Sequence, residues 1–201
     1  MLPTSSTPTP KTSLKLACER AAALRMWSTS AKLMTYAGYL FDGIAMSSCR
    51  FLDVGGGLGL FAGLASALGA KRSVCVEPGG HGASDTIRHS NLEGNGSWME
   101  GHGVELYRDN LTEFGSRARA QGWTFDVILL HNVINHLDEA ACQVLHQSEA
   151  ARLAYLESIR QMSELAAPQA WLILCACARN NLFPDLHLRN PFMPTIEWHK
   201  H

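Results

Sequence analysis

A run of closely spaced glycines between two apolar segments is the feature that most constrains the fold of this chain. The stretch FLDVGGGLGLFAGLA covers residues 51–65 and contains five glycines. A glycine inside a strand or helix costs roughly 0.5–1 kcal/mol of stability relative to alanine. Five glycines in one short stretch therefore indicate a tight turn or a close approach of the backbone to a ligand. The preceding RFLDV predicts a short strand, and residues 60–68 predict a helix ended by Gly69. The stretch therefore predicts one strand–turn–helix unit.

The chain downstream repeats this alternation of strand and helix. Four further apolar segments predict strands at residues 73–78, 104–110, 125–133 and 170–178, with helices predicted over residues 83–93, 111–121 and 138–166. Short apolar strands that alternate with helices are typical of an α/β fold whose parallel sheet carries helices on both faces. Because the crossovers are right-handed, we predict a doubly wound, mostly parallel sheet of about five strands.

The regions outside this core have different compositions. Residues 1–12 are rich in Ser, Thr and Pro and predict a disordered tail. Apolar residues at helical spacing predict two N-terminal helices within residues 13–45, ahead of a core over residues 50–178 and an irregular tail over 179–201. No interdomain linker or internal repeat is visible, so we predict a single domain over residues 13–201.

Composition narrows the classes of function. The 201 residues carry a formal net charge of −1 and no basic run, which does not favour a nucleic-acid partner. No segment reaches the roughly 18 apolar residues of a membrane span. The six cysteines lack the spacing of a disulfide framework or a metal site, and we therefore predict a cytoplasmic protein without a bound metal.

Polar residues fall at the ends of the predicted strands, where open α/β sheets bind their ligands. Gly55, Gly57 and Gly59 follow the first strand and allow the backbone to approach a ligand without a Cβ atom between them. Four side chains close successive strands and converge on the same rim: Asp53, Glu77, Asp109 and His131. A purely structural alternative for Asp109 is an N-cap of the helix that starts at Leu111.

One interpretation of the glycine stretch is a dinucleotide site. Gly57-x-Gly59-x-x-Ala62 fits the fingerprint G-x-G-x-x-A, and Glu77 follows at the distance expected of a ribose-binding acid. This pattern leaves a nicotinamide-dependent oxidoreductase open as an alternative.

A longer pattern points elsewhere. Asp53-x-Gly55-x-Gly57-x-Gly59 resembles motif I of class I, Rossmann-like S-adenosylmethionine-dependent methyltransferases. VCVEP, RDN and FDVILLHNVINHLDE resemble later segments of that family, and the resemblance covers residues 50–178. It implies strand order 3-2-1-4-5, S-adenosylmethionine as cofactor, and methyl transfer to a small-molecule acceptor with an O or N nucleophile.

The resemblance also implies roles for individual residues. Gly55, Gly57 and Gly59 would line the methionine part of the cofactor, and Asp53 would organise its amino group directly or through water. Glu77 would accept hydrogen bonds from both ribose hydroxyls. The remaining implied contacts are Asp109 and Asn110 to the adenine, and His131 and Asn132 beside the sulfonium and the carboxylate.

Methyl transfer to a protonated acceptor needs a base, and a histidine titrates in the right range. His136 follows the fourth strand and is the first candidate; His131 is the second. A capping or packing role for His136 remains open. So does a third class of function, a cofactor-binding pseudoenzyme without turnover.

The segment after the fifth strand departs from the family pattern. Class I methyltransferases usually continue with a helix and two more strands, whereas residues 180–201 contain Pro184, Pro191 and Pro194 and no alternating pattern. We therefore predict that the C-terminal strand pair is lacking and that the fifth strand is an exposed apolar edge. We expect the chain's own tail to cover this edge, a second copy to pair with it in a homodimer, or the protein to be poorly soluble and weakly active.

Overall fold

The fold was examined in a computed structural model that describes residues 9–79 and 97–176. Two helices precede the sheet, and strands and helices then alternate to the end of the described chain. The elements before residue 80 are α1 (Pro10–Ala23), α2 (Ser30–Leu40), β1 (Arg50–Val54), α3 (Leu60–Ala67) and β2 (Arg72–Val76). Those after it are α4 (described over residues 97–101), β3 (Glu105–Tyr107), α5 (Leu111–Ala120), β4 (Phe125–His131), α6 (Glu139–Val144), α7 (Glu149–Glu164) and β5 (Ala166–Cys175).

The two N-terminal helices form with side-chain caps that the sequence supplies. Thr9 accepts a hydrogen bond from the Thr12 backbone N–H at 3.3 Å, and Pro10 occupies the first turn, where its missing N–H costs nothing. This start makes residues 10–12 helical, although we had expected them in the tail. Thr29 caps α2 in the same way.

The sheet has the predicted topology. Its five strands are all parallel and lie in the order β3-β2-β1-β4-β5. The order reverses between β1 and β4, so the crevice at the carboxyl ends opens beside the glycine stretch that follows β1. Both the doubly wound class and the order 3-2-1-4-5 are confirmed.

Helices cover both faces, because successive strand residues point to opposite sides. One core cluster packs Phe51, Val127 and Leu129 against α1, α2 and α3. The other packs Leu52, Ile128 and Leu130 against α5 and α7. Since both faces of β1 and β4 are buried, these strands read as nearly continuous apolar runs.

Several predicted boundaries were wrong. The helical region expected over residues 138–166 is two helices, because Ser148 ends the connection after α6 by capping α7 through a 3.2 Å bond from the Ala151 N–H. β5 starts at Ala166 rather than at residue 170, and a register irregularity lies between Phe125 and Val127 on its partner strand. The helix expected over residues 83–93 lies outside the described residues.

The outer edge of the sheet is apolar and accessible. β5 is the last strand in the order, and Trp171 and Leu174 are 55% and 52% exposed in the described part of the chain. Within residues 9–79 and 97–176, no helix has the length and apolar character needed to cross a membrane.

Candidate functional site

The glycine loop between β1 and α3 is built on left-handed backbone. Gly55, Gly57 and Gly59 have φ values of 64°, 54° and 71°, a region that residues with a Cβ atom rarely adopt. The Gly55 N–H donates to the Val76 carbonyl at 2.8 Å, which ties the loop to the end of β2. Gly59 is the N-cap of α3 and has no side chain with which to cap the first N–H groups of the helix.

Close packing explains why glycine is needed at neighbouring positions as well. A Cβ atom at Gly55 would overlap the side chain of Val133. At Gly56 it would lie 2.6 Å from the carboxylate of Asp53 and 2.8 Å from the Cys75 sulfur. The loop therefore lies directly against the carboxyl-end side chains of the sheet.

Asp53 is buried beneath this loop without a hydrogen-bond partner. Its exposure is 0%, and neither carboxylate oxygen accepts a hydrogen bond within the described residues. Burial raises the pKa of Asp53 to about 7; the nearby Ala62 N–H lowers it in part without regular hydrogen-bond geometry, and the Glu77 charge raises it further. A buried acid whose pKa is raised in this way is a candidate for a functional position.

Glu77 joins the end of β2 to the glycine loop. Its carboxylate accepts hydrogen bonds from the Gly57 N–H at 3.0 Å and from the Gly79 N–H at 3.1 Å. The acid that the sequence selected for ribose binding thus lies against the loop.

The residues after β3 are engaged locally. Asp109 forms an ion pair with Arg117 at 2.9 Å. Asn110 is the N-cap of α5, and it forms a capping box with Glu113 through bonds of 2.9 Å and 3.0 Å. The alternative in which Asp109 caps this helix was wrong, because the cap lies one residue further on.

His131 ends β4 and lies among aromatic side chains. Its Nε2 atom is 2.9 Å from the Tyr36 hydroxyl, and its ring centroid is 4.4 Å from that of Phe61. Burial lowers the pKa of His131, so the neutral imidazole is favoured at pH 7.

Asn132 and His136 shape the loop that follows. Asn132 adopts a left-handed φ of 55°, and its N–H donates to the Cys175 carbonyl at 2.7 Å, which ties the loop to β5. His136 ends a short 3-10 turn and is half-buried. The cap of the next helix is Asp138, which accepts from the Ala141 N–H at 2.8 Å, so a capping role for His136 was wrong and its packing alternative stays open.

Two further residues lie at this rim and were not predicted from the sequence. Tyr36 reaches His131 from α2, 95 positions away along the chain, and the Trp98 indole donates to the Gly59 carbonyl at 3.0 Å. Both positions have the spacing of ordinary helix residues, and their only local signal is an aromatic ring with a polar tip.

Candidate metal ligands do not gather at the rim. Over residues 9–79 and 97–176, no group of three or more His, Cys, Asp or Glu side chains has the arrangement of a metal site. The five cysteines described there are free thiols.

The described fold and loop define a class: an open, doubly wound, Rossmann-like α/β sheet with a glycine loop at its crevice. No family model and no curated protein matches the chain. Among solved structures, it is similar to a protein from Streptococcus mutans assigned as a SAM-dependent methyltransferase, at 16% identity and a TM-score of 0.47, over 77% of this chain and 37% of that one.

Two further solved structures show the same degree of similarity. One is a protein assigned as a methyltransferase and crystallised with SAH, at 16% identity and a TM-score of 0.47, over 73% of this chain and 36% of that one. The other is the SAM-dependent methyltransferase from Agrobacterium tumefaciens, at 16% identity and a TM-score of 0.46, over 78% of this chain and 48% of that one. The chain thus spans less than half the length of each of these proteins.

Proposed function

We propose that this chain binds S-adenosylmethionine at the glycine loop and transfers its methyl group to an O or N nucleophile of a small-molecule acceptor. The observation that carries the proposal is the joint placement of two acids at the loop. Glu77 accepts hydrogen bonds from the loop backbone at Gly57, and Asp53 lies buried and unpartnered beneath Gly56. The formal net charge of −1 supports a small-molecule acceptor over nucleic acid.

The residues present fit this cofactor. The Glu77 carboxylate has two oxygens for two ribose hydroxyls, and it lies at the strand end next to the topological switch point. The orphaned Asp53 carboxylate supplies the charge that a ligand ammonium group requires near the loop. Asp53 would organise that ammonium group directly or through water.

Other rim residues complete the proposed binding site. Gly55, Gly57 and Gly59 lie along the methionine part. His131 and Asn132, at the end of β4, border the sulfonium and the carboxylate. The adenine contacts belong to Asp109, which retains acceptor positions beside its Arg117 ion pair, and to Asn110.

The chemistry divides between cofactor and protein. When bound, S-adenosylmethionine would supply a sulfonium-activated methyl group, with S-adenosylhomocysteine as the leaving group. His136 takes the acceptor proton, since it follows β4 at the rim. The rim residues supply alignment, which is worth several kcal/mol in an in-line displacement. We place this activity in the cytoplasm because the described cysteines are free thiols.

Calorimetry with S-adenosylhomocysteine tests the proposal. The wild type should bind it, and Glu77→Gln should weaken binding about tenfold or more, because a hydrogen bond to a charged group is worth roughly 1.5–3 kcal/mol. Glu157→Gln, which changes an exposed carboxylate of α7, is the matched control and should bind like the wild type.

The rival classes give different results in the same assays. Binding of NAD in place of S-adenosylhomocysteine would identify the dinucleotide alternative. Binding of S-adenosylhomocysteine without methyl transfer to any member of an acceptor panel would identify a pseudoenzyme.

We further propose that the β5 edge pairs with a second copy of the chain. The half-exposed Trp171 and Leu174 lie on the last strand of the described sheet and offer apolar area at its edge. Light scattering should report a dimer for the wild type and a monomer for Trp171→Lys. Tyr39→Lys, at a position of α2 that is 80% exposed, should leave the dimer intact. A monomeric wild type would contradict this pairing.

A further inference from the structure

A cluster of aromatic rings connects α2 to the end of β4. Tyr36 stacks on Trp27 with ring centroids 5.4 Å apart and lies edge-on to His131 at 5.7 Å. Phe61, in the first turn of α3, packs against Tyr36 at 6.0 Å and against His131 at 4.4 Å. The imidazole is thus enclosed by side chains from two helices outside its own strand.

The Tyr36 hydroxyl is a neutral group in this setting. Burial is the main cause that raises its pKa to about 12, and contact with the Cys175 side chain raises it as well. Tyr36 therefore keeps its proton at neutral pH and has one hydrogen to donate. Its oxygen is 2.9 Å from Nε2 of His131, a normal hydrogen-bond length.

The imidazole of His131 has one proton to place, because burial favours its neutral form. Nε2 faces the Tyr36 hydroxyl, and a proton on Nδ1 leaves the Nε2 lone pair free to accept the phenol hydrogen. The hydroxyl hydrogen and the Nε2 lone pair are then both satisfied.

We propose that Tyr36 is a positioning residue of the candidate site, whose hydroxyl donates to Nε2 and holds His131 as the neutral Nδ1–H tautomer against Phe61. The importance of His131 to cofactor binding rests on the function proposed above, whereas the tautomer does not. The inference makes α2 a part of the site. It also removes His131 as the acceptor of the substrate proton, because the one free lone pair of its ring is already occupied.

Among the described residues, titratable neighbours of the ring come from α2 and β5. Tyr36 faces it from α2, and Cys175 is its register partner on β5. The Tyr36→Phe and Tyr39→Phe variants both keep Cys175, so a change in the protonation of His131 in the first variant alone reports the loss of the Tyr36 hydroxyl.

Nuclear magnetic resonance of the ¹⁵N-labelled full chain tests the proposal directly. Correlation spectra of imidazole protons and nitrogens distinguish the two neutral tautomers, and His131→Gln identifies the His131 signals by their loss. The wild type should show the Nδ1–H form. An Nε2–H form in the wild type would overturn the proposal without any variant.

Tyr36→Phe removes the hydroxyl and keeps the ring. The Nδ1–H preference should weaken and the pKa of His131 should rise, because the donor to the neutral form is lost. Tyr39→Phe, on the exposed side of the same helix, is the matched control and should leave the His131 spectrum unchanged. An unchanged tautomer and pKa in a folded Tyr36→Phe protein would contradict the proposal.

Binding separates this inference from the proposed function. Tyr36→Phe should weaken S-adenosylhomocysteine binding about twofold to tenfold, the range of one neutral hydrogen bond, while Tyr39→Phe should not. If the wild type shows the Nδ1–H tautomer but binds no S-adenosylhomocysteine, the proposed function fails and the role of Tyr36 toward His131 stands. If the wild type binds and Tyr36→Phe binds equally well, the positioning role is overturned.

Discussion

Two aspartates on adjacent strands of the sheet have opposite environments. Asp126, in the amino-terminal half of β4, accepts three hydrogen bonds of 2.8–2.9 Å from the backbone and guanidinium of Arg50. Asp53, near the carboxyl end of β1, is completely buried and accepts none from the described residues. The Arg50 contacts hold the pKa of Asp126 at about 2, whereas burial raises that of Asp53 to about 7.

The difference separates an end of the sheet that is stabilised by an ion pair from the end at which we propose that the cofactor binds. A carboxylate with all its partners supports the folded state above its pKa. A buried carboxylate without partners costs stability whenever it is ionised, and such a cost is retained where it serves a ligand. Variants of Asp53, Asp126 and the loop above Asp53 test this difference between the two ends of the sheet.

The largest effect is expected at the loop that covers Asp53. Gly56→Ala places a Cβ atom 2.6 Å from the Asp53 carboxylate, so the loop must move. We expect S-adenosylhomocysteine binding to weaken more than tenfold and the free energy of unfolding to fall by about 1–3 kcal/mol, as for other overpacked sites. Calorimetry and thermal denaturation measure both quantities.

Gly38→Ala is the matched control, because a Cβ atom there meets nothing within 4 Å and the position lies inside α2. Its stability should be unchanged or increased, since alanine is the better helix former. Binding by Gly56→Ala at the affinity of the parent would remove the loop from the binding site.

The next largest effect is expected for Asp53→Asn, which should raise the free energy of unfolding where Gly56→Ala lowers it. Asp53→Asn removes a buried charge without changing the shape of the side chain, so at pH 8 the variant should be more stable by about 1–3 kcal/mol. The same change should weaken cofactor binding. Denaturant unfolding and calorimetry on one preparation measure both; a less stable variant at pH 8 would mean that Asp53 has a structural role.

The smallest effect is expected at the paired end. Asp126→Asn should lower the free energy of unfolding at pH 7 by about 1 kcal/mol, since both partners are about one third exposed and solvent screens the pair. Thermal denaturation at pH 7 measures it. Equal stability of variant and parent at this pH would show that the ion pair does not support the fold.

The same two variants separate the pH dependence of stability. Because the folded-state pKa of Asp126 lies at about 2, below the ordinary 3.8, its contribution is present above pH 4 and is lost as the pH falls toward 2. Because that of Asp53 lies at about 7, above the ordinary 3.8, its protonated form favours folding below pH 4 and this contribution is lost as the pH rises through 7.

Unfolding free energies across pH 2–8 should therefore show two slopes. Asp126→Asn should reduce the acid slope without changing the slope between pH 4 and 7; part of the acid slope should remain, because the pKa values of Glu105 and Glu157 are lowered as well. Asp53→Asn should flatten the slope between pH 4 and 7 and leave the acid slope in place. A parent whose stability does not change between pH 4 and 7 would contradict the environment described for Asp53.

Much of the fold followed from local patterns. The presence of five apolar strands and the helix starts at Leu60 and Leu111 were predicted correctly, because burial on both sheet faces leaves a continuous apolar signal. The strand order was implied by the family resemblance and is confirmed. The break before α7 was missed, since Ser148 within a helical pattern does not reveal whether its hydroxyl will cap a new helix.

In the candidate site, the sequence predicted correctly only those positions at which the backbone conformation requires a particular residue. The positions of Gly55, Gly57 and Gly59 could be predicted from the sequence, because a left-handed backbone conformation excludes most other residues. The roles of Glu77 and His136 remain predictions, since their chemistry depends on a ligand.

The amino-acid sequence by itself determined which segments become strands, which turn needs glycine, and which polar groups close the strands, because these depend on residue type and short-range spacing. Tertiary structure alone decided that Tyr36 meets His131, that Arg50 pairs with Asp126, and that Asp53 lies without a partner under Gly56. The physical reason is distance along the chain: a hydrogen-bond partner 95 or 76 positions away leaves no trace in local periodicity, and only packing of the helices onto the sheet brings it within reach.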